Sequence, residues 1–427
     1  MRPLIPSETA LVLGGGGAKG AYQIGVMRAL SELGISCGSA YGTSVGALNA
    51  AMYAQGDTEK AAELWERLSL DDLVTPEERA LADSAEALFD HPERMIDFIT
   101  RNAQRKGIDT APLRTLIGEY VDESRLRKSS VRFGLVTTRF PSMHMVEKRL
   151  PDTEPGSLVD WLMASCACFP VFPMVRIGEE RYMDGGFCDN VPVDMAVMDG
   201  AKTVIAVDIG RSQSHTQYAL RPNVTYIRAT HPLGGLLTFD PQASRRNEVL
   251  GYNDAMRAFG HMRGTRYAFD PTDAQMLFSR AQDFIARLTR ADTQLERSGL
   301  IKRGDAPLMG CLEETLSPGA DAVDYFLRAC ELCAETTQLD PARVYTFDAF
   351  IQALRSQLPL ERAAAMADGL LGGRIGVLFS PPQMDRRLVI SCLYHILGRE
   401  SLNPMAMRTL AAFPRELLCA ITLKEIL

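Results

Sequence analysis

Two short motifs carry residues able to perform acyl chemistry. Gly42-Thr43-Ser44-Val45-Gly46 fits G-x-S-x-G, a tight strand-to-helix turn that projects a serine hydroxyl from the sheet edge, with the helix N-terminus favouring negative charge beside it. Gly14-Gly15-Gly16-Gly17-Ala18-Lys19-Gly20 is backbone almost without side chains ahead of a helical pattern, where N–H groups can face an anion, a developing oxyanion included. A serine nucleophile needs a base, and none of the six histidines (His91, His144, His215, His231, His261, His395) lies in a motif; each reads as a surface or structural residue. The stronger candidate is Asp184 in Tyr182-Met183-Asp184-Gly185-Gly186, at a strand end where two glycines let the chain turn and leave the carboxylate accessible. Taken singly these signals are weak, since G-x-S-x-G arises by chance in glycine-rich chains and Asp-Gly-Gly is usually only a turn.

The elements expected to position these residues alternate. Ala10-Leu11-Val12-Leu13 reads as a strand before the glycine loop, and Ala21 to Leu30 follows with apolar residues at helical spacing. Ser39-Ala40-Tyr41 repeats the plan ahead of Ser44, with Ala47 to Tyr53 as a small-residue helix. Further strands are expected at 131–138, 181–183, 203–209 and 224–227, and residues 58–127 read as largely helical. Two successive crossovers favour a parallel sheet, so residues 1–270 are expected to form a three-layer α/β/α domain. After about residue 240 strand signals thin out. Amphipathic patterns over 273–300, 321–336, 347–371, 384–398 and 405–426, with Gly369, Gly372, Gly373 and Pro381-Pro382 as breakers, make 271–427 an additional helical C-terminal unit.

Composition excludes several classes. The 427 residues are 46% hydrophobic and 23% charged, enough for a sizeable core and unlike a disordered or fibrous chain. Lys and Arg total 46 against 53 Asp and Glu, a net charge of −7, so no nucleic-acid partner is expected and standing attachment to anionic membranes is disfavoured. Pro3, Pro6 and Glu8 interrupt what a signal peptide would require, and the uncharged run 161–175 is too short to span a bilayer. Nine scattered cysteines suggest neither a disulfide framework nor a zinc site, which fits a cytoplasmic location with at most peripheral membrane contact. Cys330 and Cys333 read as core positions of a helix. Nothing sets the oligomeric state.

The glycine loop admits other readings. Gly15, Gly17 and Gly20 satisfy G-x-G-x-x-G, but residues 35–43 contain no acid to hold a ribose, and Lys19 is followed by glycine rather than the hydroxyl residue of a P-loop. In this order and spacing, however, the motifs resemble the patatin-like phospholipases. Bacterial members begin with a strand, a glycine-rich loop containing a basic residue and a helix, as at Gly14 to Gly20, and the elbow follows, as at Gly42 to Gly46. A proline-containing segment similar to Ala164 to Pro173 comes next, then Asp-Gly-Gly and Asn-x-Pro, matched by Asp184-Gly185-Gly186 and Asn190-Val191-Pro192. The resemblance covers about residues 8–230. It implies a Ser–Asp dyad with Ser44 as nucleophile and Asp184 as base, the N–H groups of Gly15, Gly16 and Gly17 as oxyanion hole, and hydrolysis of phospholipids, lysophospholipids or other acyl lipids through an acyl-serine.

Such a base must be partly desolvated, because a carboxylate with a pKa of about 3.9 abstracts a hydroxyl proton poorly. Lys19 reads equally as a loop or phosphate contact and as a solvent-exposed lysine. Neither cofactor nor metal is required. Leu233, Leu236, Leu237 and Phe239 are expected to pack against the C-terminal helices rather than to touch lipid. The alternatives are a non-catalytic module binding a nucleotide or lipid phosphate, and a regulated hydrolase whose C-terminal helices recruit a signalling partner.

Overall fold

The computed structural model describes residues 8–75, 79, 108–210, 216–313, 316, 319–371, 385–398 and 413–427. Residues 1–7 and 80–107, with His91, and also His215, the breakers Gly372, Gly373, Pro381 and Pro382, and the first part of the helix expected over 405–426 lie outside the described residues. Two compact units are present, 1–258 and 259–427, dividing earlier than the 270/271 boundary expected from the sequence.

In the first unit the chain runs β1 (Thr9–Leu13), α1 (Ala21–Glu32), β2 (Ser39–Thr43), α2 (Val45–Ala54), α3 (Thr58–Trp65), α4 (Ala111–Tyr120), α5 (Glu123–Arg127), β3 (Arg132–Phe140) and β4 (His144–Arg149). It continues with α6 (Leu158–Ser165), β5 (Val175–Ile177), β6 (Glu180–Asp184), α7 (Val193–Met198), β7 (Thr203–Asp208), β8 (Val224–Arg228) and α8 (Pro241–Ala258). The strand order is β5-β6-β3-β2-β1-β7-β8, with β4 also paired to β3. The β3-β2-β1-β7-β8 portion is parallel, and β4, β5 and β6 are antiparallel additions. Strand β1 is buried on both faces. Ala10 and Val12 join a cluster with Val193, Met195 and Ala196 of α7, so Leu11 and Leu13, equally buried, face the opposite layer.

The site is prepared by the way β3 is shared. On one edge it pairs with β4 from Gly134 to Arg139. On the other it pairs with β2 as far as Thr43↔Val136, and from the next residue with β6, starting at Thr137↔Asp184. The end of β2 and the end of β6 therefore abut along one edge of β3.

Strand signals do thin out after residue 240, but α8 belongs to this first unit. Its backbone touches that of α1: a Cβ on Gly25 would lie 1.8 Å from the Glu248 carbonyl oxygen, and one on Gly251 would lie 1.9 Å from that of Tyr22. Around this crossing Tyr22 donates to Asp254 at 2.6 Å, Arg257 pairs with Asp254 and Arg28 with Glu248.

The second unit contains β9 (Ala268–Phe269), α9 (Ala274–Arg297), α10 (Pro307–Glu313), α11 (Ala322–Thr337), β10 (Val344–Tyr345), α12 (Phe347–Gln357), α13 (Leu360–Leu371), α14 (Arg386–Leu397) and α15 (Pro414–Ile426). Pairing of β9 with β10 joins residues 268–269 to this unit. Phe284, Phe326, Phe347 and Phe350 centre its core, and Cys330 and Cys333 are buried in it on α11. The helix expected over 347–371 is two, divided at Leu358-Pro359, because proline cannot supply the N–H a continuing helix needs. Gly369, expected as a breaker, lies within α13. Glu331, fully buried, accepts the N–H groups of Thr265, Arg266 and Tyr267 at 2.6, 2.7 and 2.9 Å and pairs with Arg328. These donors replace the water its charge has lost.

The α1–α8 crossing makes a testable contrast. Gly25→Ala or Gly251→Ala must drive the helices apart and is expected to cost roughly 2 kcal/mol or more in urea denaturation. Gly118→Ala, exposed on α4 with open space around its Cβ position, is expected to stabilise by up to about 1 kcal/mol.

Candidate active site

Ser44 occupies the junction of β2 and α2 with φ 55° and ψ −130°, a conformation that side-chain-bearing residues rarely adopt. The flanking glycines make it attainable. A Cβ on Gly42 would sit 2.2 Å from the Gly46 carbonyl oxygen, and one on Gly46 would sit 2.1 Å from that of Leu13. The turn is held from outside by Ser165, fully buried at the end of α6: its Oγ accepts the Ser44 N–H at 2.9 Å and donates to the Val136 carbonyl at 2.7 Å.

Asp184 ends β6 beside it. Its N–H donates to the Ala167 carbonyl at 2.9 Å, its carbonyl accepts from Thr138 Oγ1 at 2.9 Å, and its Oδ1 accepts the Gly186 N–H at 2.7 Å. Burial pushes the Asp184 carboxyl up to about 6, against the opposing pull of hydrogen bonds from the Ser44 hydroxyl and the Gly186 N–H. The carboxylate is thus desolvated and faces the serine oxygen. Cys166, also beside Ser44, is held well above the ordinary thiol range by burial and the neighbouring Asp184, and Cys168 is raised for the same reasons. Both are thereby disfavoured as thiolates.

The glycine loop needs a correction. The Gly15 N–H is occupied, donating to the Asn190 carbonyl at 3.1 Å, while Asn190 Nδ2 donates back to the Gly15 carbonyl at 3.1 Å. Gly15 is a fixed strut: a Cβ there would fall 2.6 Å from Asn190 Oδ1 and 3.1 Å from the Ser44 Cβ. The Gly16 and Gly17 N–H groups have no partner among the described residues. Gly17 takes φ 57°, and a Cβ on it would lie 2.2 Å from the Leu236 carbonyl oxygen. Lys19 is buried, which excludes the solvent-exposed alternative.

Behind the loop lies a buried polar chain that sequence reasoning missed. Gln23 Nε2 donates to the Gly14 carbonyl at 2.7 Å, Asn49 Nδ2 to Gln23 Oε1 at 2.8 Å and to the Gly20 carbonyl at 3.1 Å, and Trp65 Nε1 to Asn49 Oδ1 at 3.1 Å. A glutamine and an asparagine on apolar helices were the only available signal.

Ser44, Asp184, Gly15, Gly16, Gly17 and Lys19 all line one cavity of about 400 Å³. Its remaining wall is mostly leucine and aromatic, contributed by α2, α3 and α4 and by Leu236, Leu237 and Phe239. These last three, expected to pack against the C-terminal helices, are cavity wall. No histidine lines it among the described residues.

Fold and site together define an α/β/α domain in which a serine elbow, a buried carboxylate and a glycine loop converge on an apolar cavity. Residues 11–197 match the family model of patatin-like phospholipases, and the N-terminal unit carries a patatin-like phospholipase domain. A mouse relative, patatin-like phospholipase domain-containing protein 6, is 30% identical over 221 residues, which is 50% of this chain and 14% of that one. Lysophospholipase NTE1 of Mycosarcoma maydis is 27% identical over 221 residues, 49% of this chain and 10% of that protein. The chain thus spans only a small part of the length of these relatives. Among solved structures, VipD from Legionella pneumophila aligns over 99% of this chain and 90% of its own at 14% identity and a TM-score of 0.40.

The two supports of the site are separable by stability. A carboxyl raised in the folded state loses stabilisation as pH climbs from its unfolded value towards 6 and is penalised above it. Asp184→Asn is therefore expected to raise stability at pH 8 by on the order of 1–3 kcal/mol and to leave it nearly unchanged at pH 4. Ser165→Ala strips both the Ser44 N–H and the Val136 carbonyl of a partner and is expected to cost about 1–3 kcal/mol at either pH. Urea denaturation at the two pH values checks both.

Proposed function

We propose that this protein is a serine acyl hydrolase acting on acyl lipids, phospholipids and lysophospholipids among them. The observation that carries this reading is the Ser44 hydroxyl on a strained elbow beside the desolvated Asp184 carboxyl, both lining one apolar cavity. Ser44 Oγ attacks the ester carbonyl carbon while its proton passes to Asp184. The Gly16 and Gly17 N–H groups and the α2 N-terminus meet the negative charge forming on the carbonyl oxygen. Collapse of the tetrahedral intermediate breaks the ester bond, and Asp184 returns the proton to the departing alkoxide. Water then attacks the acyl-serine, giving its proton to Asp184, and Ser44 is regenerated with release of the fatty acid.

The lining suits this substrate class, since the leucine-rich wall accepts an acyl chain and Lys19 brings a positive charge suited to a phosphate ester. Phe187 lines the cavity yet is 47% exposed, and Met143 and Met145 are exposed nearby, where the Cys188 thiol donates to the Met143 carbonyl. This apolar rim fits transient contact with a lipid surface. Among the described residues no helix is long and apolar enough to cross a membrane.

Fluorophosphonate labelling with mass-spectrometric mapping tests the reading. An adduct at Ser44 is expected, lost in Ser44→Ala and slowed at least 100-fold in Asp184→Asn, in line with removal of a general base. In the wild type, kcat/KM for a soluble ester should rise with pH through about 6 and then level off, because the base must be ionised. Full esterase activity in a folded Ser44→Ala protein would overturn the assignment.

A further inference from the structure

The cavity extends from Ser44 along α2 and α4. Ser44, Leu48 and Met52 recur at i, i+4 and i+8 and all line the cavity, so one face of α2 forms a continuous wall running away from the nucleophile. At a rise of 1.5 Å per residue, Met52 lies about 12 Å along the helix from Ser44. Met52 is 4% exposed and does not stand free. Gln55, itself 5% exposed, directs Nε2 to the Met52 sulfur at 3.5 Å, to the Tyr120 carbonyl at 2.7 Å and to Asp57 Oδ2 at 2.9 Å. Its Oε1 accepts the Asp122 N–H at 3.1 Å. One buried amide thus ties the end of α2 to the end of α4, whose Tyr120 also lines the cavity. Methionine is ordinarily the most adaptable of apolar side chains, and here it lies against a buried amide that is itself held by the Tyr120 carbonyl and Asp57.

We propose that α2 is an acyl-length ruler: the chain esterified at the Ser44 end lies along Leu48 and stops at Met52, which Gln55 and the Tyr120 end of α4 hold in place. The inference rests on the hydrolase reading above and narrows its substrate to medium-chain acyl esters. C–C bonds of about 1.5 Å in a staggered chain advance roughly 1.25 Å each, so about 12 Å accommodates roughly eight to ten carbons. Longer chains must leave carbons outside or displace the Met52 barrier.

The test is the rate profile of the full chain on p-nitrophenyl esters from acetate to palmitate, for wild type, Met52→Ala and Met52→Phe, each shown to be folded by thermal melting. The readout is the ratio of kcat/KM between chain lengths. Wild type is expected to peak at eight to ten carbons. Met52→Ala should move the peak at least two carbons longer and raise the tetradecanoate-to-octanoate ratio at least fivefold; Met52→Phe should move it shorter. Esterase activity with the same length profile in all three proteins, or a wild-type peak at palmitate, overturns the ruler and leaves the hydrolase reading standing. Absence of both acetate hydrolysis and a Ser44 fluorophosphonate adduct overturns the hydrolase reading, and the ruler with it. Should one variant fail to fold, the other still decides, because the two are expected to move the peak in opposite directions.

Discussion

The site depends on one constraint, the sharing of a single edge of β3 between two strands that arrive from opposite directions. Parallel β2 ends at Val136 and antiparallel β6 ends at Thr137. Ser44 follows the first end and Asp184 closes the second, so residues 140 apart in sequence are set side by side by consecutive positions of one strand. A short segment then fastens both: Ser165 bonds the Ser44 N–H and Ala167 accepts the Asp184 N–H. Displacing either strand by one residue would turn the side chains beyond it to the other face of the sheet.

This arrangement is costly locally. A serine at positive φ and a carboxyl raised by burial both oppose folding, and each is the kind of feature that persists only where its surroundings overdetermine it. The surroundings here are a sheet strand buried on both faces, a helix crossing in which α1 and α8 touch backbone to backbone, and a chain of buried amides from Trp65 to Gly14. Gly16 and Gly17 then line the cavity with backbone alone, at no further cost in side-chain ordering.

The parallel core was legible because its signals are local. The strands at 10–13, 39–41 and 203–209 announce themselves as apolar runs, and the glycines around Ser44 mark a turn that only small residues can make. The antiparallel additions were less so. Strand β4 alternates weakly and is half-exposed, and its pairing partner is fixed by the long-range register on β3 rather than by its own residues. Helix α8 escaped for a different reason: its buried face carries Ser244, Asn247, Glu248, Asn253 and Asp254, which pattern reading assigns to solvent. The same blindness hid the contact of Asn190, named only as part of its motif, with the Gly15 backbone, and it hid Gln55, whose partners are Met52, Asp57, Tyr120 and Asp122.

Helix α2 shows how one short segment serves fold and chemistry together. Gly46, Ala47, Ala50, Ala51 and Ala54 share the face against the sheet, and their small size lets the helix approach closely enough for Gly46 to touch the Leu13 carbonyl. That closeness forces the turn at Ser44 and sets the serine at the positive end of the helix. The large residues are thereby left for the other face, where Leu48 and Met52 meet the cavity. Reversing the pattern would keep the helix and its hydrophobicity but push it off the sheet, losing the elbow and the wall at once. The alternation of small and large residues along α2 therefore couples the position of the turn at Ser44 to the shape of the cavity wall beyond it.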